Sequence, residues 1–282
     1  MSKEKRGIHM GKVLANIQNK LVVVLLLIWA LGPVLWLLLT SIKPENAVLS
    51  VPPKWVFKPT LENYRSLITS AEFHRYLFNT LIVASTTSIL TTSMGFLSAY
   101  AFTRFRFKGS TFLPVFYLVV RMVPRITLVV PFYVIMTKLS MINTKTALIV
   151  SYTTFALPFS IWMMIGFLKE LPKELEEAAA VDGCNRLQIL SKIVLPLAAP
   201  GLAATAIFSF LLGWNEFLFS FVLSGPESRT LPVMIAGFET DRGVLWGQFS
   251  AAAVSIMLPA IAIALVLQRH IVKGLTMGAV KG

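Results

Sequence analysis

Residues 171–196 read LPKELEEAAAVDGCNRLQILSKIVLP, and no other stretch of the chain is as informative about its fold. The beginning of this stretch predicts a helix. Pro172 suits a first helical turn, the glutamates that follow favour the positive end of the helix dipole, and the alanines at 178–180 are strong helix formers. Asp182-Gly183 then interrupts the helical pattern.

A second short helix is predicted directly after this interruption. Asn185 followed three residues later by Gln188 resembles a capping box, which would start the helix, and Leu195-Pro196 would end it. The apolar residues expected on one face are Leu187, Leu190 and Ile193 or Val194. Such a helix pair could dock into a groove of another protein, or it could rest on the surface of a bilayer.

The rest of the chain is strongly apolar. It has 282 residues, of which 56% are hydrophobic and 14% charged, against roughly 25% charged in soluble domains. This composition excludes a disordered chain and argues against a soluble enzyme, so we expect a polytopic membrane protein. The single Cys184 and three scattered histidines indicate neither a disulfide framework nor a metal site.

Six stretches are long and apolar enough to cross a hydrocarbon core, which takes about 20 helical residues. The first follows a basic tail, residues 1–20, but it is too long for a signal peptide and lacks an A-x-A-like cleavage site. The sequence therefore predicts an all-α fold with one domain over 21–282. The predicted spans are 21–41, 77–101, 112–137, 146–168, 199–224 and 247–268.

Lysines and arginines are distributed unequally between the two sides of these spans. Fifteen lie in the tail, in 102–111, in the loop 169–198 and in 269–282, whereas nine lie in the segments of the opposite side. Because positive charge resists translocation, both termini are predicted to be cytoplasmic. The net charge of +13 is then an excess at the cytoplasmic edges of a membrane protein, and we expect no nucleic-acid partner.

Two longer segments are expected on the outer side. Segment 42–76 is rich in proline and contains Trp55 and Tyr64, which suggests an ordered cap over the outer mouth. Segment 225–246 begins with Gly225-Pro226 and has a polar middle, which suggests a loop that reaches outward.

Three ionisable residues fall inside the predicted spans: Arg121, Arg125 and Glu216. Charges are costly there, so an arginine is predicted to pair with Glu216, and the third and fifth spans should adjoin. Arg121 and Arg125 are four residues apart and should share one helix face, with a bend at Pro124 between them. The alternative is that Glu216 lies at the outer interface.

The run Glu177-Ala178-Ala179, then Asp182-Gly183, nine further residues, and Ile193 and Leu195-Pro196 resembles the EAA motif of a known family. That family is the permease subunits of binding-protein-dependent ABC importers. Over nearly the whole chain, further segments agree with its carbohydrate branch and with the smaller six-span permeases of maltose-type transporters: residues 59–64 (PTLENY), 213–217 (GWNEF) and 274–282 (GLTMGAVKG).

The resemblance implies a division of labour between subunits. The chain contains no G-x-x-x-x-G-K-[ST] pattern, so it should bind no cofactor and carry no catalytic residue itself, while a dimer of a partner ATPase binds ATP and magnesium. The resemblance implies that Glu177 contacts the ATPase, that Ala178 and Ala179 permit close approach, and that Gly183 supplies the bend. The motif's remaining positions are Asp182, Ile193 and Pro196.

The implied function is import of a sugar or oligosaccharide across the bacterial or archaeal cytoplasmic membrane. The implied partners are a second permease, the ATPase dimer, an extracytoplasmic solute-binding protein and membrane lipid. Guanidinium groups can donate to sugar hydroxyls and Trp214 offers a ring face, so the arginines, Trp214, Asn215 and Glu216 are candidate pathway or gate residues. A non-sugar solute and an ion-coupled secondary transporter are the alternatives, although neither inverted repeats nor a midplane acid is seen.

Overall fold

The computed structural model of the protein describes residues 2–241 and 243–277, with side chains for 18–241, 243–263 and 265. Two parts of the sequence analysis lie outside the described residues: the last five residues of the GLTMGAVKG segment and Arg242 of the outer loop. The side chains of most of the basic tail also lie outside them. The described part is mostly helical, as the composition predicts.

The described residues up to Glu170 contain seven helices. They are α1 (Ser2–Ser41), α2 (Glu45–Val48), α3 (Glu62–Thr69), α4 (Ala71–Arg104), α5 (Phe112–Arg121), α6 (Arg125–Lys138) and α7 (Lys145–Glu170).

The second half contains shorter elements and one long helix. They are α8 (Glu174–Val181), α9 (Arg186–Ile189), a π-helical turn (Leu190–Val194), α10 (Leu195–Leu197), α11 (Ala199–Trp214), α12 (Leu218–Leu223), α13 (Leu231–Ala236), the antiparallel strands β1 (Glu239–Thr240) and β2 (Gly243–Val244), and α14 (Trp246–Met277).

The described residues contain between four and six candidate membrane spans, by length and apolar composition. Four helices are each long and apolar enough to cross a membrane: Gln18–Ser41, Ala71–Arg104, Lys145–Glu170 and Trp246–Ile263. Two further candidates are bent pairs, Phe112–Arg121 with Arg125–Lys138 at 95° and Arg186–Leu197 with Ala199–Trp214 at 74°. The prediction of a polytopic helical protein is therefore confirmed at this coarser level.

The third and fifth predicted spans are not continuous helices. The expected bend at Pro124 is confirmed, but it is a break between α5 and α6, because proline has no N–H to continue the hydrogen-bond ladder. The predicted span 199–224 is likewise interrupted at residues 215–217, between α11 and α12. Apolar composition alone therefore missed two helix ends.

The chain divides into two compact units. The central unit contains Ser70–Gly237 and the residues from Ile256 onward, and the terminal unit contains the residues up to Thr69 and Phe238–Ser255.

Helices α4, α7 and α11 form the core of the central unit. Small residues allow α4 and α7 to approach closely, because a Cβ on Gly95 would lie 2.9 Å from the Ser160 Cβ. Hydroxyl groups connect α11 to both helices: Ser88 donates to the Ala206 carbonyl at 2.5 Å, and the hydroxyls of Ser160 and Ser209 are 3.0 Å apart. These three helices thus use the small and hydroxyl-bearing side chains that suit helix packing in lipid.

In the terminal unit, the segment after α1 is held by polar contacts. Asn63 of α3 donates to the carbonyls of Ser41 and Lys43 at 2.9 and 3.0 Å, and the Ser41 and Tyr64 hydroxyls are 2.7 Å apart. The buried ammonium group of Lys43 lies 5.1 Å from the centroid of the Trp36 ring. This portion of the predicted outer segment is therefore ordered, whereas its expected place over an outer mouth stays a prediction.

We expect Gly95→Ala to destabilise the protein, because the added methyl meets the side chain and backbone of Ser160 at 2.9 to 3.1 Å. Overpacking of this kind costs about 1–3 kcal/mol, and the melting temperature of the purified protein should fall measurably. Gly166→Ala, in the partner helix α7, is the matched control, since no atom of a non-adjacent described residue lies within 4 Å of its added Cβ. Equal melting temperatures for the two variants would contradict the tight α4–α7 contact.

Candidate functional site

The helix pair predicted around Gly183 is present. Helix α8 covers the EAA motif, and Gly183 has a φ of +87°, a conformation that side chains other than glycine rarely adopt. The capping box is confirmed: the Gln188 amide donates to Asn185 Oδ1 at 2.9 Å, and the Asn185 amide donates to Gln188 Oε1 at 2.8 Å. Local sequence therefore determined both the bend and the start of the second helix.

The buried face of the second helix agrees with the prediction at Val194 and differs from it at Leu187. Ile189 and Val194 are buried, Leu190 and Ile193 are half-buried, and Leu187 is 76% exposed. A π-helical turn over Leu190–Val194 adds an extra residue to the turn and shifts the face by about one position. The helix also continues through exposed Pro196 to Leu197 and does not end at Pro196. A proline is tolerated in the first turn of α10, because the backbone N–H that it lacks would have no partner within that helix.

The motif residues divide between an exposed and a buried face. Glu177, Ala178, Asp182 and Gly183 are exposed, whereas Ala179 is buried. Ala179 packs with Ile189 and Val194 against the ends of α4 and α7. In this structure Ala178 is therefore free to approach a partner, while Ala179 allows close packing within the chain itself.

A buried ion pair that sequence reasoning missed attaches α8 to the end of α4. Arg104 Nε donates to Glu176 Oε1 at 2.5 Å, with side-chain exposures of only 5% and 8%. The Tyr100 hydroxyl donates to the other oxygen of Glu176 at 3.3 Å, and Arg104 also donates to the Leu171 carbonyl. Seventy-two positions separate Arg104 from Glu176, so no local pattern could have revealed the pair.

The predicted pairing of an arginine with Glu216 is confirmed. Arg125, the first residue of α6, donates to Glu216 Oε2 at 2.7 Å, and the carboxylate is 7% exposed. The other oxygen accepts the Phe219 amide at 3.2 Å at the start of α12. Glu216 thus both neutralises a cation and satisfies a free backbone amide at the break between α11 and α12.

Helices α6 and α12 adjoin, as the pairing requires. The rings of Phe132, Phe155 and Phe219 from α6, α7 and α12 pack with centroids 4.6 to 5.4 Å apart. This aromatic cluster lies beside the charge pair, since the Arg125 guanidinium is 5.8 Å from the Phe155 ring.

Arg121 does not share a helix face with Arg125, which corrects the prediction. Helix α5 ends at Arg121, and three residues separate it from Arg125 at the start of α6. The Arg121 guanidinium lies 4.5 Å from the centroid of Phe159. A cation–π contact therefore accommodates the second charge where the broken helix prevents a shared face.

Trp214 and Asn215 contribute to packing in this conformation. Trp214 is 1% exposed, its indole N–H donates to the Ile256 carbonyl at 3.1 Å, and its ring stacks on Phe210. The ring therefore offers no free face to a sugar here. Asn215 is exposed and donates to the Leu211 carbonyl at 2.8 Å, at the end of α11.

The family model for the binding-protein-dependent transport system inner membrane component matches residues 91–277. The chain belongs to this family. The match includes α8, the Gly183 bend and the Arg125–Glu216 pair, so both parts of the candidate site lie within the family region.

Relatives within this family are similar to the chain over almost its full length. The trehalose/maltose transport system permease protein MalG of Thermococcus litoralis is 38% identical over 263 residues, covering 92% of this chain and 94% of the relative. The diacetylchitobiose uptake system permease protein DasC of Streptomyces coelicolor is 36% identical, covering 96% and 98%.

A solved structure has the same fold. A chain of a bacterial ABC transporter involved in the import of the acidic polysaccharide alginate superposes with a TM-score of 0.74 at 22% identity, covering 92% of this chain and 97% of that one. At this identity the likeness establishes the fold of the binding-protein-dependent transport component and not its solute.

Glu216→Gln should lower transport by roughly tenfold, because the amide leaves the half-exposed Arg125 without the counter-charge that the buried Glu216 carboxylate provides. Uptake by the purified transporter in liposomes measures the effect. The double variant Glu216→Arg with Arg125→Glu should recover part of the lost activity, since it restores opposite charges at the same two positions.

Glu170→Gln is the control for this experiment. Glu170 is exposed at the end of α7 and forms no ion pair with another described residue, and exposed charges contribute little. If Glu216→Gln transports as well as Glu170→Gln, the Arg125–Glu216 pair has no role in transport.

Glu176→Gln should lower the melting temperature of the protein, because it removes the charge partner of buried Arg104. Breaking a buried pair costs about 3–5 kcal/mol. Glu177→Gln, one position along the same helix, should leave the melting temperature unchanged because Glu177 is exposed. Identical thermal stability of both variants would show that the pair does not hold α8 in place.

Proposed function

We propose that this chain is one of two permease subunits of an ATP-driven importer that translocates a sugar or oligosaccharide. The observation that carries the proposal is near full-length similarity to permeases for trehalose/maltose and for diacetylchitobiose. The family's dependence on a binding protein supports delivery of the solute by an extracytoplasmic binding protein. The ion-coupled alternative has no support from this family match.

The proposed arrangement has six spans, with both termini in the cytoplasm and one permease domain over 21–282. Support comes from the four continuous helices, from the bent pair of α5 and α6, and from α11, the apolar half of the second bent pair, together with the bias of lysine and arginine. In this orientation the helix pair 174–197 faces the cytoplasm, and residues 225–246 face the binding protein.

Coupling to ATP hydrolysis is assigned to the helix pair. A dimer of a separate ATPase binds ATP and magnesium, and its closure moves the spans between inward- and outward-facing states. The exposed side of α8, with Glu177, Ala178 and Asp182, has the small and polar residues that suit docking in a groove. The buried Arg104–Glu176 pair supports this role, because it connects α8 rigidly to α4.

The Arg125–Glu216 pair is proposed to act as a gate or a pathway contact. Its support is the position of Glu216 at a break between two helices, where a change in either helix alters the pair. Arg121, Trp214 and Asn215 are assigned to the same region. In this conformation Trp214 has a structural role, and exposure of its ring would require movement of α11.

Uptake by the reconstituted transporter tests the proposed function. The chain is purified with its partner permease, ATPase and binding protein, placed in liposomes, and offered radiolabelled maltose, trehalose, diacetylchitobiose and methionine. We expect ATP-dependent uptake of a sugar only in the presence of the binding protein. Uptake of methionine alone would assign a non-sugar solute, and uptake without ATP would remove the importer assignment.

Gly183→Leu should insert and assemble but lose ATP-dependent uptake by about tenfold or more, because a strained backbone costs about 1–3 kcal/mol and alters the docking bend. Among the described residues, no atom beyond the two chain neighbours lies within 4 Å of the added Cβ, so the described part of the chain leaves room for the side chain. Uptake and ATP hydrolysis measured on the same liposomes distinguish uncoupling from failed assembly.

Gly109→Leu is the matched control. Gly109 has a similar φ of +98°, and its nearest neighbour after substitution is Leu113 at an ordinary 3.5 Å. Full uptake by the Gly183 variant, or an equal loss in both variants, would contradict a specific coupling role for the helix pair.

A further inference from the structure

A basic cavity lies where two spanning helices end. Its volume is about 510 Å³, and its lining includes Arg104 at the end of α4 and Lys169 near the end of α7. The beginning of α5 closes a third side through Thr111 and Pro114. The volume falls within the roughly 300–1,000 Å³ of small-molecule sites.

The charge of this cavity is unbalanced. Arg104 is neutralised by Glu176, but Arg106, Lys169 and Lys173 also line the cavity, and none of these three forms an ion pair with another described residue. No aspartate or glutamate lines the cavity in the described part of the chain. An anion in this cavity would therefore meet three uncompensated cations.

The lining is also amphipathic. Val115, Leu118 and Ile165 form apolar walls, whereas Ser110 and Thr111 bring hydroxyl groups that can donate hydrogen bonds. Trp162 is half-exposed and lies seven residues before Lys169, or about 10 Å along α7 at 1.5 Å per residue. The cavity thus combines cations at the helix ends with an aromatic ring nearer the middle of the span.

This arrangement matches the boundary between headgroups and hydrocarbon. Spans end where the headgroup layer begins, so lysine and arginine side chains at the ends of spanning helices reach that layer. Since α4 and α7 both end at the cavity, the cations lie at headgroup height whichever way the chain is oriented. The apolar walls then lie at the height of the glycerol and the first acyl carbons.

We propose that this cavity binds the phosphate headgroup of an anionic phospholipid such as phosphatidylglycerol. Basic pockets between spanning helices bind anionic headgroups in this way. The apolar walls favour a lipid over free phosphate, because a small anion would leave Val115, Leu118 and Ile165 in contact with water. A zwitterionic headgroup is disfavoured, because its ammonium would face the same cations. This inference does not depend on the solute or on the transport mechanism.

Lipid retention by the purified complete transporter tests the proposal. The complex is placed in nanodiscs with equal amounts of phosphatidylglycerol and phosphatidylcholine, extracted into detergent, and its retained lipid is counted by native mass spectrometry. We expect retention of phosphatidylglycerol. The variant Arg106→Gln/Lys169→Gln/Lys173→Gln should retain at least about tenfold less phosphatidylglycerol, since each cation near an anionic headgroup contributes substantially to the affinity for the lipid.

Lys54→Gln/Lys58→Gln/Lys138→Gln is the control, because it removes the same charge from three exposed positions that do not line the cavity. It should retain lipid like the unmodified protein. The proposal would be overturned if both triple variants lost lipid equally or retained it equally. It would also be overturned if the unmodified complex retained as much phosphatidylcholine as phosphatidylglycerol.

Val115→Trp provides a second test that keeps every charge. Val115 is exposed at the cavity wall, and the larger ring should fill the space and displace the lipid. This variant decides the question if the charge variant fails to assemble. Undiminished retention by Val115→Trp would place the lipid elsewhere and overturn the assignment.

Competition identifies the source of the anion and any other occupant. Excess inorganic phosphate should not displace phosphatidylglycerol from the complex. Displacement would show a site for a soluble anion, and cross-links from Lys173 to the partner permease without retained lipid would show a protein interface. Either result would overturn the lipid assignment.

Discussion

Close approach between α4 and α7 is the constraint on which the other features of the central unit depend. Lipid tails are as apolar as leucine, so the hydrophobic effect contributes little to contact between spanning helices, and packing of small residues has to hold them together. Gly95 permits this approach, and the hydroxyls of Ser88 and Ser160 extend it to α11. Once α4 and α7 are in contact, their ends lie together at Arg104 and Lys169. The attachment of α8 and the basic cavity both follow from this arrangement.

Two ion pairs then set the positions of segments that apolar packing leaves undetermined. Arg104–Glu176 attaches the helix pair to α4, and Arg125–Glu216 connects α6 to the break between α11 and α12. The Arg104–Glu176 pair is buried, whereas in the other pair only the Glu216 carboxylate is buried and Arg125 is half-exposed. Burying a charge costs desolvation energy that offsets much of the attraction within a pair, but removing the partner of a buried charge is costly. Each pair therefore selects one arrangement of the helices, because other arrangements would leave a charge unpaired. Its net contribution to the stability of the fold is small. Both pairs lie at helix ends, where backbone groups also need partners.

The assignment of the fold and the assignment of the solute rest on different observations. The likeness to a chain of an alginate importer at 22% identity establishes the architecture, but one architecture serves many solutes. The sugar assignment depends on near full-length similarity to the trehalose/maltose and diacetylchitobiose permeases. The buried ring of Trp214 shows why side-chain type alone does not identify a sugar contact. The same aromatic ring can pack in a helix bundle or face a sugar, according to the conformation.

Composition and local pattern were enough to predict the apolar helices, the bend at Gly183 and the capping box of Asn185, because these features depend on residues within one helical turn or on average apolarity. It also predicted that an arginine pairs with Glu216, because opposite charges in a membrane have few alternative partners. Which arginine forms that pair follows from the three-dimensional arrangement, since the break before Arg125 separates it from Arg121. The Arg104–Glu176 pair and the basic cavity were likewise decided by tertiary packing. Their residues are distant along the chain, and they meet only because α4, α7 and α8 converge at one end of the bundle.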